Sequence, residues 1–285
     1  MDLSGRALLL NRRHSIDLFT HENLRELFSQ DDIFQNVYSN FSDIQNKDYD
    51  FILLQEFNHP SIRFKTKHFK KLPFASLFRF FYGPARNQTI FSYAAINTLF
   101  DLNLAPTEIQ TLAKPYLHHN AQTAQSVAKF IPTQPYITIS IGGRDADRSY
   151  RYWPDLLHLL DEKVIAGMPN TIVLLGSDNG LDMDSLIAGN EYKNLIIHSF
   201  VGKLSLLQTR VLISKSKVFI GCDGGLMHVA HSTKTPSVTL FRVQEPHPLW
   251  LTKSCFSRPI QSDGEDSDIP PKQIMTELLI TLDMP

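Results

Sequence analysis

Short apolar runs rich in β-branched residues recur along the chain, at positions 7–10, 51–54, 136–141, 171–175, 195–198, 218–221 and 237–241. Each is the size of a strand. Between the last five lie stretches whose apolar positions recur at helical spacing, such as WPDLLHLLDEKV from Trp153 and KLSLLQTRVLISKSK from Lys203. Strand and helix therefore alternate through the second half, which predicts a parallel sheet covered on both faces, a doubly wound α/β domain. The first half shows a weaker form of the same pattern, with two clear strands and several helix candidates. No internal repeat is evident.

Two prolines in FIPTQP (130–135) interrupt a helical pattern just before the strand YITISI. A linker there divides the chain into domains 1–130 and 131–285. Near the end QSDGEDSDIPP is polar and turn-rich, and KQIMTELLITLD after it reads as a closing helix able to pack back on the N-terminal domain.

Composition narrows the class. With 285 residues, 42% hydrophobic and 20% charged, the chain has the make-up of a folded globular protein. A net charge of −1 speaks against a globally nucleic-acid-binding surface but leaves room for a local basic patch. Cys222 and Cys255 are the only cysteines and lack CxxC spacing, so they read as ordinary buried thiols in a reducing compartment. The N-terminal apolar run of four residues falls short of the roughly 7 to 15 of a secretion signal, and no segment reaches the roughly 18 of a membrane span; a cytoplasmic location is expected.

Eleven histidines include no HExxH, and GxSxG, Walker A and an early GxGxxG are absent, which sets aside zinc sites and the simplest hydrolase, NTPase and dehydrogenase classes. Asp-x-Asp triplets start at Asp48, Asp145, Asp182 and Asp266. Paired carboxylates suit a divalent metal, but four such triplets in one chain say little singly, and no metal is expected.

In VFIGCDGGLMHVAHSTKTPSVTLF (218–241) a buried strand meets an Asp-Gly-Gly turn, then a helix and a second strand. Doubly wound sheets bind ligands beyond the carboxyl ends of their strands, and a glycine turn feeding a helix offers free backbone N–H groups there. Asp223 can cap the helix, Gly224 and Gly225 let the backbone approach an anion, and His228 lies about one turn along. The same residues also suit a plain strand-to-helix connection with a capping Asp.

The longer segment KLSLLQTRVLISKSKVFIGCDGGLMHVAHSTKTPSVTLF resembles the nucleotide-sugar-binding half of glycosyltransferase family 9, the lipopolysaccharide heptosyltransferases. That family carries Asp-Ser/Thr-Gly-x-x-His between a strand and a helix, then a Thr-Pro and a strand ending near Phe-Gly. Asp223, Gly225 and His228 match the motif, and Thr235, Pro236 and Phe241 match its continuation. Gly224 replaces the hydroxyl residue and Arg242 the glycine after Phe241, so the resemblance implies a phosphate contact that rests on backbone N–H groups.

Other pieces carry the same resemblance. ITISIGGRDADRSYRYWPDLLHLL brings Arg151 onto a basic residue that contacts donor phosphates, ahead of Trp153 and Pro154 at a helix start, with Gly142 and Gly143 in the loop near the phosphates. A fixed cation there would stabilise the negative charge of a departing nucleoside diphosphate. Trp153 itself suits packing better than contact. TIVLLGSDNG resembles a strand after which an acidic residue bonds the ribose, a role for which Asp178 and Asp182 compete. In VGKLSL, Leu204 lies along the nucleobase or simply starts a helix.

ALLLNRRHSIDLFTHENLRELF, laid on the family's opening strand and Arg-rich loop, puts Asp17 on the general base and Arg12, Arg13 and His14 beside an anionic acceptor. Ile16 stands where the family has Gly, and Asp17 equally suits the N-cap of the helix that follows. RFKTKHFKKLPFASLFRFFYG (63–83) carries six Lys/Arg among many aromatics. That composition suits a phosphorylated lipid acceptor, the anionic inner membrane surface, or an ordinary amphipathic helix with solvated lysines.

The resemblance thus implies the GT-B architecture, two Rossmann-like α/β domains facing a cleft, with a shortened N-terminal acceptor-binding domain and a C-terminal donor-binding domain. It implies an inverting, metal-independent glycosyltransferase without a cofactor. The sugar would by default be heptose from ADP-heptose, and the acceptor a glycolipid, the lipopolysaccharide or lipooligosaccharide core, reached from the cytoplasm with peripheral contact at the inner membrane. A non-catalytic sugar-nucleotide or glycolipid-binding protein of the same fold, and a sugar-nucleotide epimerase, are the alternatives.

Overall fold

The computed structural model describes residues 3–283 except 13, 46, 56, 77–86, 143–148 and 164–167. The chain forms two compact units, Met1–His118 and His119–Pro285.

The first unit opens with a 3-10 helix, Ser4–Leu9, where the apolar run predicted a strand. Long-range packing overrides the local pattern. Gly5 donates its N–H to Ser92 Oγ at 2.9 Å, and a Cβ on Gly5 would overlap the Ser92 carbonyl. Arg6 is buried and donates from Nε to Asp31 Oδ2 at 2.9 Å and from Nη2 to the Tyr116 carbonyl at 3.1 Å. There follow β1 (Asp17–Phe19), α1 (Glu22–Ser29), β2 (Asn36–Tyr38), β3 (Ile52–Leu54), α2 (His59–His68), β4 (Phe74–Ser76), α3 (Gln88–Leu99) and α4 (Pro106–Leu112). Among the described residues β1 pairs with β2 and β3 with β4, as separate two-stranded parallel ladders. Strands of three residues hold few ladder bonds, and the apolar interior is correspondingly broken into small clusters, one around Leu9, Ile33 and Ile96 and another around Tyr93, Ile109 and Ala113.

The second unit comprises α5 (Ala121–Val127), β5 (Tyr136–Ser140), α6 (Trp153–Glu162), β6 (Thr171–Leu175), α7 (Leu181–Ala188), β7 (Ile196–Ser199), α8 (Leu206–Lys215), β8 (Val218–Cys222), α9 (Gly225–His231), β9 (Ser237–Phe241), β10 (Ser257–Gln261) and α10 (Pro271–Leu282). Its six described strands are all parallel, in the order β10-β9-β8-β5-β6-β7. Every residue of β5, β6 and β9 is buried, as strands covered by helices on both faces must be. Trp153, at 1% exposure, opens α6 and belongs to the core. The far end of α6 is fixed by Asp161, whose carboxylate accepts the N–H groups of Lys193, Asn194 and Leu195 at 2.6–3.0 Å. Burial alone would raise this carboxyl, but the three backbone bonds prevail and hold it below the usual carboxylate range. Ser205 starts α8 with a capping box, accepting from Gln208 N while Gln208 Oε1 accepts from Ser205 N.

The units divide at 118/119, ahead of the proline-bounded 130–135 segment, because α5 packs on α8 of the second unit. The closing helix α10 packs on α6, and Ile274, Met275 and Leu278 are buried in the core of the second unit.

Candidate functional site

From β5 the sheet grows one way through β6 and β7, and from β8 the other way through β9 and β10. The strand order therefore reverses between β5 and β8, the position at which open α/β sheets take ligands beyond their strand ends. The Asp-Gly-Gly turn leaves β8 there. Continuing the register Ile139↔Ile220 brings Gly142, at the end of β5, level with Asp223.

The glycines at this place do different work. A Cβ on Gly142 would stand 3.1 Å from Gly180 N, so Gly142 allows close contact with the 178–180 turn. A Cβ on Gly224 would meet only Cys222 O, at 4.0 Å, and one on Gly225 nothing within 4 Å. Protein packing does not require those two glycines, and the space at their side-chain positions is open. Asp223 is 6% exposed, and its N–H bonds the Leu240 carbonyl at 2.8 Å.

His228 is half-buried on α9, with its N–H bonded to the Gly224 carbonyl at 3.3 Å. Its ring meets Trp250 edge-on, 5.8 Å between centroids at 64°. Trp250 Nε1 donates to Glu245 Oε2 at 3.1 Å, and Glu245 Oε1 pairs with Arg242 Nη2 at 3.5 Å. Arg242, read from the sequence only as a departure from Gly, thus belongs to a chain of contacts ending on the motif's histidine. Trp250 and Glu245 were not singled out in the sequence; the signal was that Trp250 is one of only two tryptophans and lies shortly after the strand ending at Phe241.

Arg151 is exposed, its guanidinium 5.2 Å from the Tyr152 ring centroid. Its backbone is fixed: Arg151 N donates to Ser267 Oγ, which donates to the Ser149 carbonyl, both at 3.1 Å. Buried Tyr150 donates to the Ile269 carbonyl at 3.0 Å. Asp266, first of an Asp-x-Asp triplet, is 1% exposed, and the thiol of Cys222 is pushed up by burial and further by the charge of this carboxylate. Asp268 Oδ2 accepts from Glu265 N at 2.8 Å. This pair is part of a turn rather than an open pair of metal ligands. Among the described residues no group of three or more His, Cys, Asp or Glu could hold a metal ion. Gly143 and the triplet at Asp145 and Asp147 lie outside the described residues.

On the nucleoside side, Asp178 heads the 178–180 turn, and its Oδ1 lies where a Cβ on Gly202 (φ +67°) would come within 2.6 Å. Asp178 is therefore brought against the Gly202–Leu204 turn, whereas Asp182 is exposed in the first turn of α7. Leu204 is half-buried just ahead of the Ser205 cap.

In the first unit Asp17 lies on β1, neither in a strand-to-helix turn nor at a helix cap, since the N-cap of α1 is His21. Its side chain is 11% exposed. Oδ1 accepts from Asn36 Nδ2 at 2.8 Å, and Oδ2 from Tyr49 OH at 3.0 Å and Lys47 Nζ at 3.5 Å. Burial, and then the bond to Asp17, push the Tyr49 hydroxyl up, so it stays a donor. Arg12 is exposed and donates to the Leu8 carbonyl at 2.9 Å; His14 is exposed with its ring 4.8 Å from that of Phe100. Arg13 lies outside the described residues.

Comparison with known proteins joins these observations. The family model described as glycosyltransferase family 9 (heptosyltransferase) matches residues 37–254, a span that contains the Asp-Gly-Gly turn, His228 and Trp250 and begins after Asp17. No curated protein matches the sequence. Among solved structures, a family 9 glycosyl transferase from Veillonella parvula is similar with a TM-score of 0.75 at 15% identity, over 98% of this chain and 93% of that one. ADP-heptose lps heptosyltransferase II of E. coli gives 0.72 at 19%, over 98% and 93%. Heptosyltransferase WaaC of E. coli, solved with ADP, gives 0.68 at 13%, over 98% and 95%. These likenesses carry the fold, which is GT-B. Among the described residues no helix is long and apolar enough to cross a membrane. With the family matched across most of its length and the Asp-Gly-Gly-x-x-His motif standing at the reversal of its sheet, the chain belongs to glycosyltransferase family 9 and is a glycosyltransferase.

Proposed function

We propose that the protein transfers a sugar, by default heptose, from a nucleoside-diphosphate sugar such as ADP-heptose to a lipopolysaccharide or lipooligosaccharide core, with inversion, at the cytoplasmic face of the inner membrane. The observation that carries this reading is the pair Gly224 and Gly225, which protein packing does not require and whose side-chain positions are open where the strand order reverses, so that a ligand can approach the backbone there. The donor diphosphate lies against that backbone, with His228 and Arg151 adding charge or hydrogen bonds as the leaving group gains negative charge. Asp178 takes the ribose in preference to Asp182, and Leu204 lines the base. Asp17 is the proposed base, with Oδ1 having one donor and so a lone pair to take the acceptor proton.

A second reading, a non-catalytic binding module, is favoured by the same Asp17: three donors engage it, and it stands outside the family match. ADP release from ADP-heptose, with a heptose-deficient lipid core as acceptor, decides between them. Release by the wild type that is lost in Asp17→Asn supports transfer with Asp17 as base. Release undiminished in Asp17→Asn moves the base elsewhere. Tight ADP binding without release on any core acceptor makes the protein a binding module. The anomeric configuration of the product, read by NMR, tests inversion.

A further inference from the structure

From Phe57 to Phe100 the sequence contains seven Lys and Arg and no Asp or Glu, in a chain of net charge −1, so the remaining residues sum to −8. The cations are segregated rather than merely abundant, and α2 sorts those it carries by face. Phe64 and His68, four residues apart, turn inward: Phe64 stacks on Phe19 at 5.2 Å, and His68 lies 3.9 Å from Phe41. Lys65, 7% exposed, is engaged by the Lys70 carbonyl and the Phe74 ring. Arg63, Lys67, Lys70 and Lys71 are exposed, and among the described residues none pairs with a carboxylate. Beside Arg63 runs an open groove of about 510 Å³, lined by Phe57, Asn58, His59, Ile62, Arg63 and Thr66. Phe57 is 51% exposed and Phe74 43%.

We infer that the groove side of the segment from Phe57 to Lys71 docks on an anionic phospholipid bilayer. Charge complementarity requires an occupant bearing anions, and the exposed Phe57 ring and the groove require one with apolar material beneath them. A bilayer offers both, with headgroup phosphates over acyl chains, whereas a nucleic acid backbone offers chiefly the charge. In this arrangement Arg63, Lys67, Lys70 and Lys71 meet the phosphates while Phe57 enters the headgroup boundary. The inference rests on the proposed placement at a membrane face and not on which sugar is moved.

Co-sedimentation of the full chain with vesicles tests it, using phosphatidylcholine alone and phosphatidylcholine with phosphatidylglycerol. Binding is expected only to the anionic vesicles, weakening as salt rises. Arg63→Gln, Lys67→Gln, Lys70→Gln and Lys71→Gln should each weaken it about fivefold. Lys70→Gln with Lys71→Gln, beyond the end of α2, gives a pair that leaves the helix untouched. Phe57→Ala should weaken binding while leaving its salt dependence unchanged. Equal binding to both vesicles, full binding by the double variant, or tighter binding to single-stranded DNA than to vesicles would overturn the inference. ADP release with a detergent-dispersed acceptor should be unchanged in these variants, so a failure of docking and a failure of transfer are read separately.

Discussion

The indole of Trp250 stands edge-on to the imidazole of His228, 5.8 Å between centroids, and is itself held by Glu245 through a 3.1 Å hydrogen bond. A histidine on α9, a helix of seven residues, is thereby oriented by a residue that follows β9 in the chain. Edge-to-face pairs contribute about 0.5–1.5 kcal/mol beyond area burial. Trp250→Ala should therefore weaken ADP binding by up to about tenfold in calorimetry. Trp250→Phe should retain most of the affinity. Unchanged affinity in Trp250→Ala would show that His228 needs no such support.

The two kinds of glycine should separate fold from binding. Gly225→Ala adds a methyl that meets no protein atom within 4 Å, so the melting temperature should hold or rise slightly while ADP affinity falls. Gly142→Ala forces a Cβ to 3.1 Å from Gly180 N and should lower the melting temperature. Thermal melts with and without ADP check both, and an ADP-induced stabilisation undiminished in Gly225→Ala counts against the cradle.

His231 is 2% exposed and its Nε2 lies 3.2 Å from Ser237 Oγ; burial first, and His228 second, push it down to about 3. Below roughly pH 6.5 the unfolded chain takes up a proton that the folded protein refuses, so stability falls with pH across that window, by at most about 1.4 kcal/mol per pH unit. Asp161, held below its ordinary range, adds a further loss only when pH drops below the ordinary carboxylate value. Urea unfolding at pH 7 and pH 5 should show the first loss, and His231→Leu should flatten it.

Arg6 and Asp31 form a buried pair, with side chains 7% and 2% exposed, and Arg6 also lies over the rings of Phe28, Phe34 and Tyr116. Arg6→Ala leaves a buried carboxylate without its cation and should cost about 3–5 kcal/mol in urea unfolding. Arg6→Met with Asp31→Leu should cost clearly less, because no uncompensated charge is then buried. Equal losses in the two variants would mean that the ring contacts, not the ion pair, hold the 3-10 helix.

Residue patterns alone carried the second unit. Its first five strands agree with the apolar runs to within about a residue at each end, because five consecutive apolar positions leave a parallel strand as the natural outcome. β10 was missed: SRPIQ is polar and half-buried at an edge, and contains a proline. In the first unit the three-residue strands β1, β2 and β4 give no periodic signal; of the two apolar runs that stand out there, 51–54 holds β3 and 7–10 falls largely in a 3-10 helix.

Taken by itself the sequence determined the alternation of strand and helix, the position of the Asp-Gly-Gly turn and the motif that names the family, all matters of local spacing. Only the tertiary structure decided that β5 and β8 are neighbours, that Gly142 serves packing while Gly224 and Gly225 leave open space, that Asp178 rather than Asp182 meets the Gly202 turn, and that Trp250 supports His228. Each of these depends on residues far apart in the chain meeting across a sheet or a turn. Hydrophobic periodicity says which face of an element is buried, but not which other element buries it.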